Sequence, residues 1–461
     1  MRIGFTVDNP KRDLKGLIIT SKHLIENGHD VVLFPMKYVS IDSVLSQLEI
    51  MIFNYIRPNN INLIKKLSSL GVKIYILDTE GGVISESGLD SPNNWAKSFK
   101  NLEYYKYVDG YFFWGERLFN AFKKHSGLEE EKLYLTGCPR YDQCHERWFS
   151  IQEPRHIDHV LINTNFSSIN PKFSKSIEEE KLVMIDTGWE QAYVNNLFND
   201  MSKTLVKFIN EIKKIANTIP NQKFVVRPHP FENKKKYVDA FSNFKNIIID
   251  DGGDIFDALL GAKCILHLNC GTSIDSYLSR VPPISIEYLN TSFLIKHTPL
   301  PSSTSYLVHS LNKLEEVISS PKTALSYLDN SDVYDQYIAP YFYSPDGKAS
   351  DRIAFVLNKV KYRAKKNSIL SLFFILIKDL NLIHKLYASF GFLFGTKLIS
   401  IFREKIYHSQ RDKKLDLENI KSIYKTIGID SNLVKFSYLK LPKGIFRNSG
   451  ILLSSIKNHE S

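Results

Sequence analysis

Two short stretches of the 461-residue chain combine residue types suited to holding phosphate, and each follows an apolar, strand-like run. The first is Arg227-Pro228-His229-Pro230, after Lys223-Phe224-Val225-Val226. The second is Asn269-Cys270-Gly271-Thr272-Ser273, after Cys264-Ile265-Leu266-His267-Leu268. A short, β-branched apolar run is the pattern of a strand buried on both faces of a parallel sheet. Such a strand delivers the residues after it to the sheet's C-terminal edge, where open α/β sheets bind ligands. Arg227 and His229 then supply a guanidinium and an imidazole. Gly271, Thr272 and Ser273 supply close backbone approach and two hydroxyls ahead of a helix-like stretch with free first amides. Together they read as a seat for a pyrophosphate or phosphodiester between a cationic strand end and a helix N-terminus. The competing reading is a plain Pro-His-Pro turn and an ordinary Thr/Ser cap.

The elements that must position these residues come in alternation. Strands are expected at Arg2–Val7, Asp30–Pro35 and residues 50–55, 72–77, 110–114 and 132–135, with helices at 14–27, 60–70 and 116–124. The pattern breaks around 147–155 and restarts at His159–Asn163. A long helix at 195–219 follows, then strands at 224–226, 247–250, 264–268 and 283–287, with helices at 254–260 and 274–279. A βαβα order of this kind predicts parallel, doubly wound sheets. Two such halves facing a cleft make the α/β architecture called GT-B. The expected domains are 1–150 and 151–360, both Rossmann-like, with a helix at 350–360 where the chain crosses back over the first. Residues 361–461 are expected to form a basic, amphipathic helical extension.

Charge narrows the partners. The formal net charge is +11, yet residues 359–461 hold 20 Lys and Arg against 7 Asp and Glu, so the body is nearly neutral. A basic groove through the fold is therefore not expected. Nucleic-acid binding is not expected either: the tail's aromatic residues sit in apolar runs and are not interleaved with its charges. Those runs, 369–377 and 390–394, are too short to cross a bilayer, which needs about 20 residues. Basic flanks suit a helix pair lying on an anionic membrane surface, and packing on the body is the alternative. No signal peptide opens the chain, so it is expected to be cytoplasmic, peripheral on the inner membrane face. Four cysteines lack metal-ligand spacing, and no paired-aspartate loop stands out, so neither metal nor cofactor is expected.

Several motifs together resemble one known family. They are Asp8-Asn9-Pro10-Lys11-Arg12-Asp13 leading to Gly28-His29-Asp30-Val31-Val32, Asp78-Thr79-Glu80-Gly81-Gly82, Asn163-Thr164-Asn165-Phe166, and the two phosphate motifs, the second continuing to Ile274-Asp275. Over residues 1–354 the chain resembles the bacterial surface carbohydrate biosynthesis proteins. These are GT-B glycosyltransferases related to enzymes that use CMP-activated keto sugars such as Kdo and nonulosonic acids. Where relatives carry Thr-Thr and Glu around the small-residue turn, this chain has Gly271-Thr272 and Asp275, which leaves the role of Asp275 open.

The resemblance implies transfer of an acidic keto sugar from a CMP-linked donor to a lipid-linked or growing surface glycan. Departure from such a donor passes through an oxocarbenium-like state that needs a carboxylate at the anomeric carbon and donors on the leaving phosphate. Glu80 is the first candidate for that carboxylate, because Gly81 and Gly82 permit close approach. Asp78 is the second, and Asp13 a third; the alternative for Asp78 and Glu80 is capping of the next turn. Arg12 and Asp13 could hold the acceptor or the sugar carboxylate, or Asp13 could cap the first helix. Arg227, His229, Gly271, Thr272 and Ser273 would contact the donor's phosphate or ribose, with Asn163, Thr164 and Asn165 lining the cleft floor. Asp250 and Asp251 would reach the nucleotide or be turn residues. Rival readings are a UDP-sugar transferase, a sugar-nucleotide epimerase, a CDP-glycerol-type polymer transferase, and a non-catalytic export or scaffold protein.

Overall fold

In the computed structural model every strand expected from the sequence is present, with ends shifted by at most two residues. The structure describes residues 1–36, 39–79, 91–186, 188–329, 331–362, 367–368, 371–372, 375, 414–428, 433–439 and 450–456. The first sheet contains β1 (Arg2–Val7), β2 (Asp30–Pro35), β3 (Ile50–Phe53), β4 (Lys73–Leu77), β5 (Gly110–Phe113) and β6 (Leu133–Leu135). The second contains β7 (His159–Asn163), β8 (Lys223–Arg227), β9 (Ile247–Ile249), β10 (Ala262–His267), β11 (Pro283–Ser285) and β12 (Tyr306–Leu307). Pairing among these twelve is parallel throughout. Helices join the strands, as parallel neighbours require.

Strand order explains where ligands can sit. The first sheet runs β2-β1-β3-β4-β5-β6 and the second β12-β11-β10-β7-β8-β9. Each is wound in two directions from its first strand, so the order reverses beside β1 and beside β7. The crevices at β1/β3 and at β7/β10 are therefore the topological switch points, where the loops diverge and leave room for a ligand.

Burial follows the pleat. Val31 and Leu33 join the core on one face of the first sheet, with Ile3, Phe5, Leu17 and Ile18; Val32 and Phe34 join Met51, Phe53 and Ile76 on the other. Both faces are covered, which is why these strands read as continuous apolar runs rather than alternating ones. The second sheet's core gathers Val160, Ile162, Val226 and Leu266 against Leu205, Phe208 and Ile212 of the long helix Gln191–Thr218.

The chain divides into two compact units, Met1–Ile151 with Tyr341–Ser461, and Gln152–Pro340. The second domain was expected to run to 360, whereas the second unit ends at Pro340. Residues 341–360 fold with the first unit because helix Ala349–Asn358 buries Ile353, Ala354 and Leu357 in its core. Asp142 fixes that helix by accepting the Ala349 and Ser350 N–H groups at 2.9 and 2.8 Å. Gly16 lets the helix that carries it approach the segment bearing Asp142: a Cβ there would lie 2.7 Å from the backbone of Pro139.

The tail is also not helical throughout. Helix Leu417–Thr426 buries Ile420, Ile423 and Tyr424 in the first unit's core. After it come β13 (Val434–Tyr438) and β14 (Ile451–Ser455), an antiparallel pair that extends the first sheet by pairing β14 with β2. Of the apolar run 369–377, Leu372 is buried in that unit; the group at 390–394 lies outside the described residues. Among the described residues no helix is long and apolar enough to cross a membrane.

Candidate functional site

The β7/β10 crevice of the second unit collects most of the residues singled out from the sequence. Asn163 is the last residue of β7, and its Nδ2 donates to Thr272 Oγ1 at 2.8 Å. Asn165 Nδ2 donates to the Asn269 carbonyl at 2.6 Å. These two bonds tie the exits of β7 and β10 across the switch point. Asn269 takes a left-handed φ of 49°, which Asn tolerates better than most residues and which turns the chain sharply after the strand. Thr272 Oγ1 also lies 3.0 Å from Cys270 Sγ. Gly271 is exposed, and a Cβ built on it meets nothing within 4 Å, so its face is open to an approaching group. Buried Asn163 Oδ1 has no hydrogen-bond partner among the described residues.

On the other side of β7, Thr164 links to β8. Its hydroxyl accepts the His229 N–H at 3.1 Å and donates to Glu232 Oε1 at 2.8 Å. Glu232 also accepts the Phe166 N–H at 2.8 Å and the Tyr237 hydroxyl. Burial pushes this carboxyl's pKa up, against the pull of those hydrogen bonds. His229 and Thr272 thus lie on the exits of β8 and β10, the two strands flanking β7, and each is tied to β7 through the consecutive residues Thr164 and Asn163. The His229 ring is half-buried, and burial lowers its pKa. Its Nδ1 accepts the Phe231 N–H at 3.2 Å, which assigns the remaining ring proton to Nε2.

Three sequence expectations are corrected here. Ser273 is fully buried and bonds Thr304 Oγ1 at 3.1 Å, so its hydroxyl faces the unit's interior and not a phosphate. Arg227 directs its fork into the turn after β9, donating to the Gly252 and Gly253 carbonyls at 2.5 and 2.8 Å. It positions the edge and does not lead into the crevice. The helix after Gly271, Thr272–Leu278, has only seven residues, so its dipole is short and the side chains and amides at its start matter more. Asp250 behaves as a turn residue: it pairs with Arg155 and His156, each at 2.8 Å, and caps the Gly252 N–H.

A cavity of about 190 Å³ lies beside the same edge, lined by Asn165, Asn269, Thr204 and His297 with Met201 and Leu294. Its mix of apolar wall and a few polar groups is the usual composition of a small-molecule pocket.

The first unit's candidates gather at its own switch point. Asn9, not Asp13, caps helix Pro10–Glu26; Asp13 sits a turn inside and accepts the Asn9 N–H at 3.0 Å. Arg12 is held between Asp8 at 2.9 Å and Asp13 at 2.7 Å. Burial works against its charge, but the Asp13 carboxylate outweighs that and raises its pKa. Asp78 is buried after β4 and accepts the Tyr111 hydroxyl at 3.2 Å. Asp13 and Asp78 line one recess with Thr6, Asn54, Trp114 and Arg140. Glu80, Gly81 and Gly82 lie outside the described residues.

Sequence reasoning missed Glu232, Thr6, Asn54 and Trp114. Glu232 carried a usable signal, an acidic residue just past the strand-exit prolines. Of the other three, Thr6 lies inside β1 while Asn54 and Trp114 directly follow β3 and β5, and they are placed only by their sharing the lining of this recess. Among the described residues no three His, Cys, Asp or Glu side chains form a group able to hold a metal ion.

No protein-family model matches the sequence, and no curated protein sequence does. Several solved structures resemble it. The UDP-GlcNAc 2-epimerase of Methanocaldococcus jannaschii, solved with UDP-GlcNAc and UDP, is 14% identical, with a TM-score of 0.44 over 78% of this chain and 100% of that one. The Neisseria meningitidis UDP-GlcNAc 2-epimerase bound to UDP-GlcNAc is 12% identical at a TM-score of 0.44, with the same coverage. The wall teichoic acid polymerase TagF, as its H548A form, is 11% identical at 0.48, over 78% of this chain and 88% of that one. At such identities the likeness concerns the arrangement of elements and assigns neither ligand nor reaction to this chain.

Proposed function

We propose that the chain is a nucleotide-sugar-dependent glycosyltransferase. It moves an acidic keto sugar of the Kdo or nonulosonic type from a CMP-linked donor to a lipid-linked or growing surface glycan. The observation that carries this reading is that Asn163, Gly271 and Thr272 meet at the β7/β10 switch point, with His229 on the neighbouring exit of β8 along the same sheet edge. The resemblance of the motifs supports the choice of CMP.

The chemistry follows from the donors at that edge. Thr272 Oγ1 accepts from Asn163, which leaves its proton to be shared between Cys270 Sγ and a phosphate oxygen. Neutral His229 offers Nε2–H. Hydrogen-bond donors fixed in advance at a departing phosphate stabilise its growing charge without reorganising during the reaction. Glu80, Asp78 and Asp13 of the first unit are the proposed carboxylates for the sugar's cationic transition state. The charged tail is proposed to bring the enzyme to the inner membrane face, through segments outside the described residues.

Thermal shift with CMP, CDP and UDP tests the donor. Stabilisation by the cytidine nucleotides is expected; stabilisation by UDP alone rejects the CMP reading. Glu80→Gln should abolish transfer while leaving CMP affinity nearly intact, and unchanged turnover removes Glu80 from the mechanism.

A further inference from the structure

Glu232 lies just past the end of β8 and is 2% exposed, so its carboxylate is out of a ligand's reach. Groups from separate parts of the chain meet on it. Oε1 accepts the Thr164 hydroxyl and the Phe166 N–H, both at 2.8 Å, and Oε2 accepts the Tyr237 hydroxyl. Thr164, also 2% exposed, accepts the His229 N–H on the same hydroxyl at 3.1 Å. The Glu232 N–H in turn donates to the His229 carbonyl at 2.8 Å, which closes a turn over residues 229–232.

Donor and acceptor chemistry fixes the direction of this chain of bonds. A backbone N–H only donates, so Thr164 Oγ1 must face His229 with a lone pair. An ionised carboxylate only accepts, so it draws the one Thr164 proton to itself and leaves that lone pair for the amide. Two further bonds clamp the same loops: the Asn233 N–H donates to the Asn170 carbonyl at 2.9 Å, and Asn170 Nδ2 donates to the Asn233 carbonyl at 3.1 Å. The closed turn sets the Phe231 N–H against His229 Nδ1 at 3.2 Å, which keeps the ring proton on Nε2.

We infer that Glu232 and Thr164 are positioning residues for His229. The carboxylate orients the Thr164 hydroxyl, the hydroxyl holds the His229 backbone, and the turn keeps the imidazole in the form that donates through Nε2. Thr164, expected from the sequence to contact the donor, then touches no ligand itself. The role of His229 toward a phosphate rests on the nucleotide reading. The link among the three residues rests only on hydrogen bonds inside the second unit.

Two measurements on the full chain test the link. The first is CMP affinity by calorimetry in a double-mutant cycle of Thr164→Val with His229→Asn. Thr164→Val should weaken CMP about fivefold to tenfold, the loss of one hydrogen bond. The further loss from His229→Asn should shrink by about threefold or more in that background, because coupled residues are not additive. Thr164→Ser and Glu232→Gln, which keep the hydroxyl and an acceptor for it, should restore most of the affinity; Glu232→Ala should not. Additive losses, or no recovery in Thr164→Ser, overturn the inference and leave Thr164 a merely structural residue. The second measurement needs no ligand: the ring ¹⁵N signals of His229 among the 13 histidines, assigned by their loss in His229→Asn. The Nε2–H form is expected in the wild type and Thr164→Ser, and a mixture of tautomers in Thr164→Val. A ring unchanged in Thr164→Val also overturns the inference. Absence of CMP binding to the wild type would fail the nucleotide reading alone, and the ring signals then decide this one. Thr164→Val is nearly isosteric and carries both measurements if Glu232→Ala does not fold.

Discussion

His229 shows how much a single side chain's surroundings decide. Burial lowers its pKa, and its Nδ1 is taken by the Phe231 N–H, so at neutral pH it is an uncharged donor through Nε2. A phosphate bound against that donor favours the protonated ring and raises its pKa in the complex. The complex then holds more protons than the free protein as pH falls, and linkage makes binding tighter over that range. Nucleotide affinity should therefore rise on acidification from neutral pH more in the wild type than in His229→Asn, measured by calorimetry at several pH values. Parallel profiles would show that the imidazole does not face the phosphate. At this scale the sequence was a partial guide. It named His229, Thr272 and Asn163 from their positions after apolar runs. It could not see that Ser273 turns inward to Thr304, or that Arg227 is held by the Gly252-Gly253 turn, because both depend on contacts distant in the chain.

Elements are placed by contacts that a linear reading ranks poorly. The β-α alternation was legible because both sheets are covered on both faces and their strands are apolar throughout. Very short strands such as β12, and the strands of the tail, were not, since β13 and β14 become strands only by pairing with each other and with β2. The return of helix Ala349–Asn358 to the first unit hangs on Asp142, which is buried with its carboxylate on two backbone N–H groups. Burial raises its pKa to about 6 in spite of those bonds. The unfolded value is near 3.9, so between about 4 and 6 the native chain holds the extra proton. Stability from this group is fully present below about pH 4 and is lost as pH rises through about 6, on the order of 2–3 kcal/mol. Asp142→Asn should remove that decline from a plot of Tm against pH. A variant curve that still falls in parallel with the wild type would assign the slope elsewhere.

The whole molecule consists of two Rossmann-like units, the first closed by the chain's own C-terminal residues. A detachable, wholly helical tail is ruled out for the part described: Leu453 and Ile451 are fully buried beside β2, and Tyr424 packs in the same core. Leu453→Ala should cost about 2–5 kcal/mol, read from the denaturant midpoint. Deleting 414–461 should leave β2 as an unprotected edge and give an aggregating chain, measured by light scattering; a truncated protein with wild-type Tm would contradict the packing. The tail's excess charge was plain in the sequence, but its packing was not, because apolar residues that cover a core and apolar residues that meet a membrane have the same composition.

The central claim is that the β7/β10 edge of the second unit holds a nucleotide's phosphate. Calorimetric titration of the full chain, wild type and Thr272→Val, with CMP and UDP tests it most directly. The account predicts that CMP binds the wild type and that Thr272→Val weakens it about tenfold, as loss of a hydrogen bond to a charged group should. Failure of both nucleotides to bind, or equal CMP affinity in the two proteins, would contradict it.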